Sequence, residues 1–173
     1  MKNNQFTSNL TKKEKHFFHK MSDYLDTKLY YYGSVTRDDY VPNKSDIDIA
    51  IFTDNEHSII SKLQHFLHVK RSEFDKVVWK LDGKMIYGYK IKILEQNAEI
   101  AIYNNDFKDI LIEELNKPII NKTFLTTTLL LLLKLFYYQL PLIPTDLYLK
   151  CKRYVLNDMM GKKESVFHLI RQH

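Results

Sequence analysis

The stretch 46–52 reads Asp-Ile-Asp-Ile-Ala-Ile-Phe, a carboxylate and an isoleucine in strict alternation over its first four residues. In an extended strand side chains project to opposite faces with a period of two. Asp46 and Asp48 therefore share one face, while Ile47, Ile49 and Ile51 enter a core on the other. Two carboxylates this close repel each other unless a cation balances them. Mg²⁺, or Mn²⁺ in its place, is the natural occupant, because a hard ion takes one or two carboxylates together with phosphate oxygens. The alternative is a half-buried strand whose acidic face is simply solvated.

Eleven residues separate Gly33-Ser34 from Asp46. Glycine permits a sharp turn and a close approach to a ligand. A short helix beginning there would present free N–H groups and the Ser34 hydroxyl to an anion. A phosphate cradle followed by a metal-binding acid pair is what nucleotide transfer needs.

The surrounding pattern predicts an α+β architecture. Residues 11–28 read as an amphipathic helix, opened by the capping box Thr11-Lys12-Lys13-Glu14 and carrying Phe17, Phe18, Met21, Tyr24 and Leu25 at helical spacing. A short β run, 29–32, precedes the Gly-Ser turn. After the acidic strand a second helix begins near Asp54, with Ile59, Ile60, Leu63, Phe66 and Leu67 on one side. Residues 74–81 and 84–94 are strand-like, and Asp82-Gly83 between them is a two-residue hairpin signal. A further strand spans 97–103. From Asp106 onward the pattern is helical, with breaks at Pro118, at Pro141 to Pro144 and at Gly161. This order predicts a mixed β-sheet with helices on one side, then a C-terminal helical part. The expected division is a core of residues 1–105 and a helical region, 106–173, packed on it.

The run GSVTRDDYVPNKSDIDIAIF resembles the signature of the polymerase β-type nucleotidyltransferase superfamily, in which a Gly-Ser pair precedes an Asp-hydrophobic-Asp strand. The helix and strand before it match as well, as does Ser45, the serine preceding the first aspartate. In minimal members the intervening loop is about one residue shorter. The resemblance implies a palm-like fold and a third carboxylate on a neighbouring strand. Glu99 in Ala98-Glu99-Ile100-Ala101-Ile102 is the best candidate, ahead of Asp75 and Glu95, which do not sit mid-strand within an apolar alternation, although the family more often has aspartate there. The implied chemistry is two-metal phosphoryl transfer, with Asp46, Asp48 and Glu99 as catalytic metal ligands. Gly33 and Ser34 would bind the β- and γ-phosphates, and Ser45 and Lys44 would border the nucleotide, ATP foremost. Lys90 and Lys92 share one strand face and could reach phosphate. The segment MIYGYKIKILEQNAEIAIYN is similar to nucleotidyltransferase-like proteins of large DNA viruses.

The remaining features narrow the partners. The formal net charge of +5 suits a polyanion. Its basic clusters are Lys12, Lys13, Lys15 and Lys20, then Lys150, Lys152, Arg153, Lys162 and Lys163; two solvated helix faces would explain them equally. The single cysteine, Cys151, excludes an internal disulfide and points to a reducing, cytoplasmic setting. His65 and His68, one helical turn apart, have no third ligand nearby and read as exposed histidines. The segment 124–143 approaches a membrane span in length, but Lys134 interrupts it, at about 2.5–3.5 kcal/mol for a lysine at mid-bilayer. A helix apolar on all sides is better buried in protein, or in a homodimer or helical-partner interface through residues 123–140. The acceptor is an RNA 3′ end, a protein or a small molecule. The competing expectation is an antitoxin-like regulatory protein that keeps the fold without the chemistry.

Overall fold

The structure, a computed structural model, describes residues 9–37, 40–81, 83–115, 124–138, 140, 142–160 and 167–170. Asp82, Pro118, Thr123, Pro141, Gly161, Lys162 and Lys163 lie outside the described residues. In chain order the elements are α1 (Lys12–Leu25), β1 (Tyr30–Tyr32), β2 (Ile47–Thr53), α2 (Glu56–Leu67), β3 (Asp75–Leu81) and β4 (Lys84–Ile93). There follow β5 (Ala98–Asn104), α3 (Lys108–Leu115), α4 (Phe124–Tyr138), α5 (Thr145–Met160) and β6 (Phe167–Ile170). Two compact units result: Met1–Leu115 with Val166–His173, and Asn116–Ser165.

The first unit is a mixed six-stranded sheet in the order β1-β2-β5-β4-β3-β6. β2 and β5 run parallel, and every other pair is antiparallel. The parallel pair requires a crossover, which α2 and the β3–β4 hairpin supply between them. One face of the sheet carries Ile47, Ile49, Ile51, Ile91, Ile100 and Ile102, all buried against Phe18, Met21 and Leu25 of α1 and Ile59, Ile60 and Leu63 of α2. The isoleucine alternation thus lies on the helix-covered side, as expected. On the opposite face Ala50, Phe52, Val77, Ile86, Ala101 and Tyr103 form a second cluster, which the short α3 joins through Leu111.

Local signals explain where the helices begin and end. The Glu14 backbone N–H donates to Thr11 Oγ1 at 3.2 Å, and the Thr11 N–H donates to Glu14 Oε2 at 2.7 Å. These reciprocal bonds satisfy two of the donors that a helix start leaves open. Asn55 caps α2 by accepting from the Ser58 N–H at 2.9 Å.

The C-terminal stretch departs from the sequence expectation. Residues 167–170 form a strand, not a helix, and pair antiparallel with β3, Trp79 opposite Phe167 and Lys76 opposite Ile170. Four residues are too few for either periodicity to declare itself, so a pairing edge elsewhere in the chain decides their state.

The second unit contains α4 and α5, joined through a cluster of Leu130, Leu133, Tyr148 and Val155. The Tyr137 and Tyr148 rings stack with centroids 4.1 Å apart. Lys134, which interrupts the leucine run, is buried. Among the described residues no helix is long and apolar enough to cross a membrane.

Candidate active site

Two adjacent strands, β2 and β5, carry the acidic residues on one face. β1 pairs with β2 so that Tyr32 lies opposite Asp48, and β2 pairs with β5 so that Asp48 lies opposite Glu99. β4 adds Lys92 opposite Glu99. Tyr32, Asp48, Glu99 and Lys92 therefore form one row across the sheet, on the face away from α1 and α2. Asp46 stands immediately before β2, two residues from Asp48 and on the same face. Asp46, Asp48 and Glu99 are each partly exposed.

The lysines of β4 sit on these carboxylates. Lys90 Nζ lies 2.6 Å from Glu99 Oε1, and Lys92 Nζ lies 3.6 Å from Asp46 Oδ1. Strand alternation puts Lys90 and Lys92 on one face, but only the β4–β5 and β2–β5 registers together show that their partners are Glu99 and Asp46. Among the described residues no three His, Cys, Asp or Glu side chains are gathered closely enough to hold a metal ion. In kind the donor set suits a hard cation, since it consists of carboxylate oxygens on a partly open sheet face.

Gly33 shapes the turn in front of this row. Its φ of +70° is a left-handed conformation that side-chain-bearing residues rarely adopt. A methyl group there would overlap the Asp48 carboxylate. Residues Gly33–Thr36 form one turn of 3-10 helix, closed by Thr36 Oγ1 donating to the Gly33 carbonyl at 2.9 Å. Ser34 is buried, and its hydroxyl donates to the Asp46 carbonyl at 3.1 Å. Sequence reasoning turned that hydroxyl outward toward phosphate; here it ties the turn to the acidic strand.

Ser45 and Lys44 end the loop that joins the turn to β2. Ser45 is buried, and its hydroxyl accepts from the Val41 N–H at 3.1 Å while its own N–H donates to the Val41 carbonyl at 2.9 Å. Lys44 is exposed, and its carbonyl accepts from Asn97 Nδ2 at 3.1 Å. Both residues thus brace the entry to β2.

The tyrosines around the row escaped the sequence reading, because an aromatic run on a strand looks like core. Burial, with the Asp48 carboxylate adding to it, holds the Tyr32 hydroxyl well above its ordinary range. Burial raises Tyr103 to about 12, although its hydroxyl accepts from Trp79 Nε1 at 2.9 Å. Tyr31 and Tyr40 are likewise pushed up to about 12, chiefly by burial. An unfolded tyrosine ionises near 10, so Tyr31, Tyr40 and Tyr103 lend stability that is complete below that pH and lost as pH rises through about 12. Denaturant melts across alkaline pH should therefore lose stability between about pH 10 and 12, phenolate absorbance rising together with unfolding. Phenolate appearing near pH 10 in protein that stays folded would contradict these shifts.

A nucleotidyltransferase palm is the class that this sheet, turn and acidic strand define. Residues 13–121 match the nucleotidyltransferase domain family, and the chain belongs to it. No protein of curated function matches the sequence. Several solved structures are similar at low identity, among them the three that follow. The GLD-2/RNP-8 complex matches at 13% identity and TM-score 0.38 over 83% of this chain and 52% of that one. A cytoplasmic RNA terminal U-transferase matches at 15% and 0.39 over 76% and 46%. The RNA terminal uridylyl transferase Cid1 matches at 13% and 0.33 over 80% and 53%. The chain spans about half the length of these solved proteins.

Proposed function

We propose that this chain transfers a nucleoside monophosphate from an NTP, ATP foremost, to a hydroxyl acceptor, with release of pyrophosphate. The observation that carries this reading is the row formed by Asp48 and Glu99, with Asp46 beside it and Gly33 held against Asp48. In the reaction the acceptor oxygen forms a bond to the α-phosphorus, and the bond from that phosphorus to the bridging oxygen breaks. The acceptor hydroxyl loses its proton, and pyrophosphate carries away the electron pair.

Asp46, Asp48 and Glu99 would hold Mg²⁺ or Mn²⁺, the divalent ion the family implies. Bound there, such an ion supplies charge neutralisation and a lowered pKa for the attacking hydroxyl. The protein's own contribution is position and charge. Gly33 keeps the chain close to Asp48 without a side chain in the way, and Ser34 fixes the acidic strand relative to the turn. Lys90 and Lys92 place two ammonium groups where triphosphate charge would arrive, and Lys44 stands at the loop's exit. Prepositioned charge of this kind is the main catalytic device for phosphoryl transfer. All these residues fall within 1–105, which we take as the catalytic core. RNA 3′ ends, proteins and small molecules are the acceptor classes to be tried, in an intracellular setting.

A partner-binding reading has one observation in its favour. Leu129, Leu131, Leu132 and Leu135 of α4 are each exposed, which suits a homodimer or helical partner through 123–140.

The deciding experiment incubates purified protein with each α-labelled NTP, Mg²⁺ or Mn²⁺, and mixed RNA and cellular protein. Label transferred by wild type and reduced at least about 1000-fold in Asp46→Ala/Asp48→Ala is the expected outcome, removal of catalytic groups that act as a unit costing at least that much. No transfer with either ion, together with no NTP binding, would leave the regulatory-partner reading.

A further inference from the structure

We infer that the face of β3 and β4 beside the start of α2 is a binding surface for single-stranded nucleic acid. The transfer reading does not involve this surface, which lies on the opposite side of the sheet from Asp48 and Glu99. α1 and α2 cover β2, β5 and the neighbouring part of β4 on this side. Beyond α2 the sheet forms a concavity of about 420 Å³ lined by Glu56, His57, Lys76, Val78, Tyr87 and Tyr89, among others. That volume lies within the range of small-ligand sites.

Its chemistry is aromatic and cationic. Tyr87 is 60% exposed, unusual for a large ring in the middle of an interior strand. Tyr89 stands two residues along on the same face, with the Arg71 guanidinium 5.1 Å from its ring centroid. Arg71 Nη2 also contacts His57 Nδ1 at 3.0 Å, so the guanidinium is anchored at the rim. Lys76 lies opposite Tyr89 across the β3–β4 ladder, and Lys80 follows on the same face of β3. Arg71, Lys76 and Lys80 thus border the two tyrosines, and Glu56 is the carboxylate among the lining residues.

An open ring between cations offers a base a stacking surface and its flanking phosphates counter-charges, the combination that holds single strands without reading sequence. Tyr87 and Tyr89 are i and i+2 on one strand, about 7 Å apart. Tyr87 is the open ring on which a base can stack, while Tyr89 packs on the core and holds Arg71 where a neighbouring phosphate would lie. A duplex hides its base faces and could use only the cations.

The test is fluorescence anisotropy with a labelled single-stranded RNA of about a dozen nucleotides, its DNA counterpart and the corresponding duplex, without NTP or divalent metal. Wild type should bind both single strands more tightly than the duplex. Tyr87→Ala should weaken single-strand binding about 5- to 100-fold while Tyr87→Phe keeps it, because stacking uses the ring and not the hydroxyl. Arg71→Ala should weaken binding and flatten its salt dependence. Circular dichroism of Tyr87→Ala matching wild type separates lost contact from lost fold. Tyr87→Ala binding within about twofold of wild type, Tyr87→Phe failing as badly as alanine, or tighter binding of the duplex would each overturn the inference. Since binding is read without transfer chemistry, a protein that transfers no label can still pass, and an active transferase can still fail.

Discussion

Gly33→Ala should yield a protein of visibly lower melting temperature that has lost label transfer roughly 100-fold or more, the loss expected when reacting groups are displaced by about an ångström. Two effects combine at this position. The backbone sits at φ +70°, which costs a residue with a side chain about 1–2 kcal/mol. The new methyl group would also overlap the Asp48 carboxylate, so either the turn or Asp48 must leave its place. The two effects can be separated by a double-mutant cycle. Asp48→Ala removes the overlapping carboxylate, so the Gly33→Ala/Asp48→Ala protein should be more stable than the sum of the single changes predicts. It should still be inactive. Strict additivity in the melts, or wild-type transfer by Gly33→Ala, would show that the contact between turn and acid has no role.

The second large effect is expected at Gly88. A methyl group built there lies 2.5 Å from Tyr103 Cδ1 and 2.6 Å from the Ile102 carbonyl oxygen. The ring can move only by giving up its hydrogen bond with Trp79, and the carbonyl belongs to the β4–β5 ladder. Gly88→Ala should therefore cost at least about 1–3 kcal/mol, the usual range for overpacking a full core. Trp79 is the chain's single tryptophan, so its fluorescence reports directly on this contact. Denaturant melts followed at that signal should show an early transition, and the native emission should shift even before unfolding. A native spectrum and midpoint equal to wild type would mean that Tyr103 has room the structure does not show. The outcome matters for the site, because Tyr103 and Glu99 share one face of β5 and a displaced ring would disturb the acidic row behind it.

The residues also show why part of this architecture could be read in advance. Ile47, Ile49 and Ile51 against Asp46 and Asp48, and Ile100 and Ile102 against Glu99, state their faces by alternation alone, and those faces are found. Thr11 with Glu14 declares the start of α1 in the same local way. What alternation cannot state is how far one strand slides along another. Lys90 and Lys92 were legible as two cations on one face, yet their pairing with Glu99 and Asp46 depends on the β4–β5 and β2–β5 registers. The direction of a hydroxyl is similarly hidden. Ser34 and Ser45 read in sequence as nucleotide-binding residues, and the bonds they make, to the Asp46 carbonyl and from the Val41 N–H, are set by loop conformation. β6 failed for a different reason, because four residues take their state from the edge they meet.

That edge has a consequence for the nascent chain. β3 lacks its outer neighbour until residues 167–170 have been made, roughly ninety positions after β3 itself. The leucine-rich 124–138 segment emerges during this interval, while β3 presents unpaired backbone groups of the kind that invite strands from other molecules. Lys76 and Lys80, charged side chains on that waiting strand, are the sort of residue that discourages such encounters. In a cell the vulnerable moment of this molecule therefore lies in the time between completing its third strand and its sixth. Slower synthesis across 116–165 would lengthen that exposure even though the finished sheet is unchanged.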